Sequence, residues 1–132
     1  MGCVAVKANI VIYEGGTFDQ EFIWETGAVP TAVNITGFTA KFTVRAKATD
    51  AVALISVTKG TSPWAADVTS GIYIDTPLTG MYRIYLNDTT TTDICAGHVD
   101  IKGVYDLFLT SAAGEVLFKQ YGKATLKYAV TR

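Results

Sequence analysis

Charge is scarce in this sequence. Asp, Glu, Lys and Arg make up 17% of its 132 residues and the formal net charge is −1, against a charged share of about 25% in ordinary globular chains. Lys and Arg nowhere reach the density of a nucleic-acid-binding patch along the chain, so nucleic acid is not an expected partner. Long apolar runs are missing too. A bilayer-crossing helix needs roughly 20 apolar residues, whereas the longest run here, Ala51 to Val57, is broken by Ser56; no membrane partner is expected. The first residues have no basic start, apolar block and small-residue cleavage site of a secretory signal. Val6 stands where a myristoylation motif wants Ser or Thr. Without export, Cys3 and Cys95, the two cysteines, are expected to be reduced thiols.

The residues of common active sites are equally sparse. His98 is the single histidine, so any Ser-His-Asp or Cys-His arrangement must use it. Cys95 and His98 have C-x-x-H spacing, but a zinc site would have to recruit Cys3 and carboxylates. Asp100 and Asp106, or Asp19, Glu21 and Glu25, offer carboxylates for glycoside hydrolysis. Acids alternating along an exposed strand are ordinarily solvated, and no apolar pocket is signalled that would raise one of their pKa values. Asn87, Asp88 and Asp93 supply clustered oxygens for calcium without EF-hand spacing; an ordinary capped turn is the competing reading. Gly15-Gly16 precedes a strand, not a helix, and cannot cradle phosphate on a helix N-terminus. No enzyme activity, metal or cofactor is expected.

What is present is two-residue alternation, repeated along the chain. Phe38, Ala40, Phe42, Val44 and Ala46 alternate with Thr39, Lys41, Thr43, Arg45 and Lys47, which describes a strand with one apolar face. Phe18, Gln20, Phe22 and Trp24 alternate with Asp19, Glu21, Ile23 and Glu25. Further strands are predicted at 6–13, 52–58, 71–75, 80–87, 99–110 and 116–130, separated by Gly- and Pro-containing turns. Ser111-Ala112-Ala113-Gly114 reads as the turn of a hairpin, and Gly122 as a bulge or bend in the last strand. At most one short helical turn is expected near 88–96, capped by Asp88-Thr89.

About eight short strands with no amphipathic helix between them predict a single all-β domain over residues 1–132. The expected architecture is an antiparallel β-sandwich, immunoglobulin-like or jelly-roll-like. The outward acids Asp19, Glu21 and Glu25 and the outward bases Lys41, Arg45 and Lys47 would attract one another across adjacent strands. Strands 17–25 and 38–47 are therefore predicted to be neighbours. Residues 1–14 form a docking or edge strand, with Val4, Val6, Ile10 and Ile12 as candidate interface residues together with Trp64; an ordinary first strand of the sandwich is the competing reading. Trp64, Tyr73, Tyr82 and Tyr85 could instead make an aromatic platform for sugar rings. That gives the alternative function, a carbohydrate-binding module with a host glycan as partner.

Several stretches in order carry a resemblance. Gly16-Thr17-Phe18 with Phe22-Ile23-Trp24 opens the series, and Val33-Asn34-Ile35-Thr36-Gly37-Phe38-Thr39-Ala40-Lys41-Phe42-Thr43-Val44-Arg45 continues it. Gly71-Ile72-Tyr73-Ile74 and Gly80-Met81-Tyr82-Arg83-Ile84-Tyr85-Leu86 follow. Gly103-Val104-Tyr105-Asp106-Leu107 with Gly114-Glu115-Val116, and a terminal Thr131-Arg132, complete it. Over about residues 15–132 this series resembles small β-sandwich structural proteins of tailed bacteriophages and prophages, and the N-terminal domain of phage upper baseplate proteins. The resemblance implies a virion component assembled in the host cytoplasm, docked to other virion proteins at tail, neck, baseplate or capsid surface, and without catalytic residues. Homo-oligomers are expected because virion positions are symmetric.

Overall fold

The computed structural model describes residues 4–26, 29, 31–47, 49–50, 52–58, 70–74, 77–92, 94–95 and 99–128. Trp64, His98, Cys3 and Asp93, named above, lie outside them. Eleven strand segments form the described structure: β1 (Val4–Lys7), β2 (Ile10–Tyr13), β3 (Phe18–Ile23), β4 (Glu25–Thr26), β5 (Thr31–Ala32), β6 (Thr39–Arg45), β7 (Ile55–Thr58), β8 (Gly71–Tyr73), β9 (Met81–Leu86), β10 (Ile101–Thr110) and β11 (Val116–Lys127). They make an all-β sandwich. One sheet has the order β1/β2-β11-β10-β6-β7, the other β3-β9-β8, with a small β4-β5 ladder beside them.

The alternation in the sequence turns directly into burial. Ala40, Phe42 and Val44 of β6 are buried, while Thr39 and Lys41 between them are exposed. Tyr105, Leu107 and Leu109 do the same on β10, and Tyr82, Ile84 and Leu86 on β9. One apolar cluster joins the inner faces of both sheets. Phe118 of β11 is its pivot, stacked on Trp24 at 4.9 Å and edge-on to Tyr82 of the opposite sheet at 5.9 Å. The Trp24 indole N–H is buried with no hydrogen-bond partner among the described residues, so ring packing is what holds this side chain.

The β10–β11 hairpin forms as predicted, with Gly114 at φ +89° and Ser111 N–H donating to the Glu115 carbonyl at 2.8 Å. Two expectations about pairing need correction. The sheets are antiparallel except at the first strand: β1 and β2 both run parallel to β11. Parallel partners need a long crossover, and here the rest of the domain supplies it. The proposed neighbourhood of strands 17–25 and 38–47 is also wrong. β3 pairs with β9, and β6 lies in the other sheet between β10 and β7, so Asp19, Glu21 and Glu25 do not oppose Lys41, Arg45 and Lys47. Charge attraction of a fraction of a kcal/mol per pair does not choose a strand's partner against the burial of whole apolar faces.

The helical turn exists as α1 (Asp88–Thr91), but its cap is Asn87, whose side-chain oxygen accepts from Thr90 N at 2.9 Å. At Gly80, φ is +69° and an added Cβ would lie 2.6 Å from the Trp24 carbonyl. That close approach lets Trp24 N donate to the Gly80 carbonyl at 3.0 Å.

Candidate functional site

The two sheets turn very different outer surfaces to solvent. Lys7 of β1, Lys41 and Arg45 of β6, Lys102 of β10, and Lys119, Lys123 and Lys127 of β11 all occupy positions alternating with the core of the larger sheet. These are seven of the chain's eleven Lys and Arg residues; Asp106 is the single acid on the same strands. A net charge of −1 for the whole chain conceals this segregation. The smaller sheet presents Asp19 and Glu21 from β3 and Arg83 from β9. There the guanidinium bonds both carboxylates, Asp19 at 2.7 Å and Glu21 at 2.8 Å.

On the basic face, register brings the charges together. Lys123, Val104 and Arg45 lie in one row across β11, β10 and β6; Lys7, Tyr121, Asp106 and Thr43 lie in the next; Lys119, Phe108 and Lys41 in the third. Within these rows is a depression of about 350 Å³ with Lys7, Arg45, Lys119 and Lys123 around it and Tyr121 and Asp106 in its lining. Lys119 Nζ sits 5.2 Å from the Phe108 ring centre and 6.0 Å from that of Tyr121. Tyr121 keeps 39% of its surface exposed.

A break in the first strand shapes this place. β1 and β2 keep one register against β11, Lys7 opposite Tyr121 and Ile10 opposite Ala124; Ala8 N still donates to the Tyr121 carbonyl at 2.8 Å, after which the ladder is interrupted until Ile10. Gly122 lies beneath the interruption, and a Cβ there would collide with the Ala8 carbonyl. Two side-chain bonds bridge the gap. Asn9 Oδ1 accepts from Lys123 N at 3.1 Å, and the Tyr105 hydroxyl donates to the Ala8 carbonyl at 2.5 Å. The bend predicted at Gly122 therefore falls on the partner strand, while β11 runs through it unbroken.

Behind the break runs a buried polar chain that ties the sheets together. Tyr82 of β9 donates to Gln120 Oε1 at 2.5 Å, and Gln120 Nε2 donates to the Tyr105 hydroxyl at 2.9 Å. Gln120 is 2% exposed, so each partner matters: a buried amide left unpaired costs about 1–3 kcal/mol. Burial pushes the Tyr82 phenol well above its ordinary pKa, with the neighbouring Tyr105 adding to the effect; burial also raises Tyr105. Neither Gln120 nor buried Glu14 belongs to a motif in the sequence. Glu14 accepts from Cys95 N at 2.9 Å and so pins the 94–95 segment. The only sequence hint was a polar residue on the inner side of an alternating strand.

The other candidate residues separate. Ile10 and Ile12 belong to the core and cannot serve as interface; the outward residues of β2 are Val11 and Tyr13, 42% and 64% exposed. Val6 is 42% exposed and lines a second hollow of about 140 Å³ with Ile23 of β3, whereas Val4 is placed in β1 by its backbone. β1 and β2 thus lie at an edge of the larger sheet, a position that leaves both readings of the N-terminal segment open to test. The sugar platform does not assemble as expected, because Tyr73 and Tyr82 are buried at 5% and 1% exposure. Asp100 and Asp106 are six residues apart along extended chain, about 20 Å, beyond the roughly 5–10 Å of a glycosidase pair. Asp100 instead accepts from Tyr128 N at 2.8 Å and Lys127 Nζ at 3.2 Å, the backbone bond first and then the ammonium holding its pKa down. The Cys95 thiol donates to the Leu126 carbonyl at 3.5 Å, and burial, then the charge of Glu14, raises its pKa. Such a thiol is unreactive at neutral pH. No group of three or more potential metal ligands occurs among the described residues.

No family model matches the chain, and no curated protein matches it. Among solved structures it is similar to the titin M3 domain, at 14% identity and a TM-score of 0.40, over 96% of this chain and 92% of that one. So loose a likeness carries no functional argument. What the geometry itself offers is a cationic recess on the face of a sheet, suited to holding an anion.

Proposed function

We propose that this chain is a non-catalytic structural protein of a tailed-bacteriophage virion, assembled in the host cytoplasm. In this reading it docks to other virion proteins at the tail, neck, baseplate or capsid surface and self-associates there. The observation that carries the reading is the ordered series of strand-and-turn motifs from Gly16-Thr17-Phe18 through Gly114-Glu115-Val116. Contact through exposed strand edges needs no reactive side chain, since an edge carries unpaired N–H and C=O groups that recruit another chain. β1/β2 and β3 are such edges among the described residues, and the outward Val11 and Tyr13 add apolar surface to the first.

The decisive experiment is to purify particles made by the source of this gene and identify their proteins by mass spectrometry. The chain should be present at a symmetric copy number. Its absence from particles that are complete and infectious would end the proposal. Val11→Lys with Tyr13→Lys should leave the fold intact and lower incorporation; unchanged incorporation would remove the N-terminal edge as the docking surface.

A further inference from the structure

We propose that the recess bordered by Lys7, Arg45, Lys119 and Lys123 binds an anionic saccharide, a sugar ring bearing a carboxylate or sulfate. This stands independently of the virion reading. Among the described residues, the three ion pairs are Arg83 with Asp19, Arg83 with Glu21 and Lys127 with Asp100; none involves the four cations of the recess. Like charges gathered on one sheet face repel each other, and an anion placed among them relieves that repulsion while gaining charge-assisted hydrogen bonds. The recess already has the volume, about 350 Å³, at the lower end of ligand pockets, roughly 300–1,000 Å³.

The uncharged part of the ligand is indicated by what lies between the cations. Tyr121 offers a partly exposed ring against which the C–H face of a pyranose can lie, and Asp106 offers a carboxylate that accepts from sugar hydroxyls. Two other anionic partners fit less well. Single-stranded nucleic acid needs a track with successive aromatic platforms, but Tyr121 is the one exposed ring among the lining residues and Phe108 is covered by Lys119. The acidic face of a second copy has its Asp19 and Glu21 already bound to Arg83.

The test is calorimetric titration of the intact chain with digalacturonate and a sulfated heparin disaccharide, beside neutral lactose and deoxythymidine decanucleotide. At least one anionic disaccharide should bind, lactose should bind at least about tenfold more weakly, and Arg45→Ala or Lys123→Ala should weaken binding about tenfold, as expected for loss of one charge-assisted bond. Tyr121→Ala should weaken the anionic sugar and leave any residual affinity for inorganic sulfate unchanged. Arg83→Ala, on the opposite sheet, should change nothing. No binding of either anionic sugar, equal binding of lactose, tighter binding of the decanucleotide, or indifference to the Arg45 and Lys123 substitutions in variants with native circular dichroism would each overturn the proposal.

Discussion

The two outer faces of the sandwich have the same kind of backbone and opposite electrostatic organisation. On the smaller sheet, acid and base interleave: Arg83 stands between Asp19 and Glu21 and bonds both. On the larger sheet, cations are crowded; Lys127 pairs with Asp100, and Asp106, the single acid on the strands themselves, has no cation within ion-pair distance among the described residues. A face whose charges are mutually satisfied is finished as a surface. A face with an excess of one sign of charge is the one that draws an oppositely charged partner. The difference teaches where on the molecule to look for a ligand.

The comparison can be broken most forcefully at the seam beneath the basic face. Gly122→Val places a branched side chain against the Ala8 carbonyl and should destabilise the fold by about 3 kcal/mol, the upper part of the overpacking range; thermal unfolding would show it, and a wild-type melting temperature would show that β1 and β2 shift at little cost. Next in size, Tyr82→Phe leaves Gln120 Oε1 buried without its donor and should cost about 1–3 kcal/mol in urea unfolding.

The same phenols make a pH prediction. Tyr82 and Tyr105 have raised folded-state pKa values against an unfolded value of 10.0, so their contribution is fully present below pH 10 and is lost as pH climbs above it towards the folded values. Alkaline unfolding should therefore begin above about pH 10 and be delayed in Tyr82→Phe relative to its own neutral-pH stability. An onset that ignores the substitution would assign the alkaline transition elsewhere.

The outer faces themselves give the smaller effects, and their signs should differ. Arg83→Ala removes two partly exposed ion pairs and leaves Asp19 and Glu21 facing each other, a loss of about 1 kcal/mol or less that 1 M salt should shrink. Lys123→Gln relieves repulsion on the crowded face and should be neutral or stabilising by up to about 0.5 kcal/mol at low salt. Equal losses for both substitutions in parallel urea titrations would erase the distinction between the faces.

Much of this was legible in the residues. The strands around Phe42, Tyr82 and Leu107 and the side each turns inward follow from alternation, which is a local property of extended chain. The Ser111–Gly114 turn is equally local. The acidic outer side of β3 and the basic outer side of β6 are also legible, but the attraction between them suggests neighbours, whereas the fold puts them in opposite sheets. Gln120 and Glu14 looked like lapses in the pattern; across the core, Gln120 meets Tyr82 and Tyr105, and Glu14 meets Cys95. The recess is not legible in the sequence, because Lys7, Arg45, Lys119 and Lys123 are spread over more than a hundred residues of chain and form no cluster along it.

By itself, then, the sequence determined that this protein is made of strands, which side of each faces the core and where the turns fall, since a period of two is written within each segment. Only the tertiary structure decided which strands lie side by side, that the first pairs parallel with the last, and that the cations share one face. Those outcomes depend on how whole apolar surfaces fit together over long separations in the chain, and no short stretch contains that information.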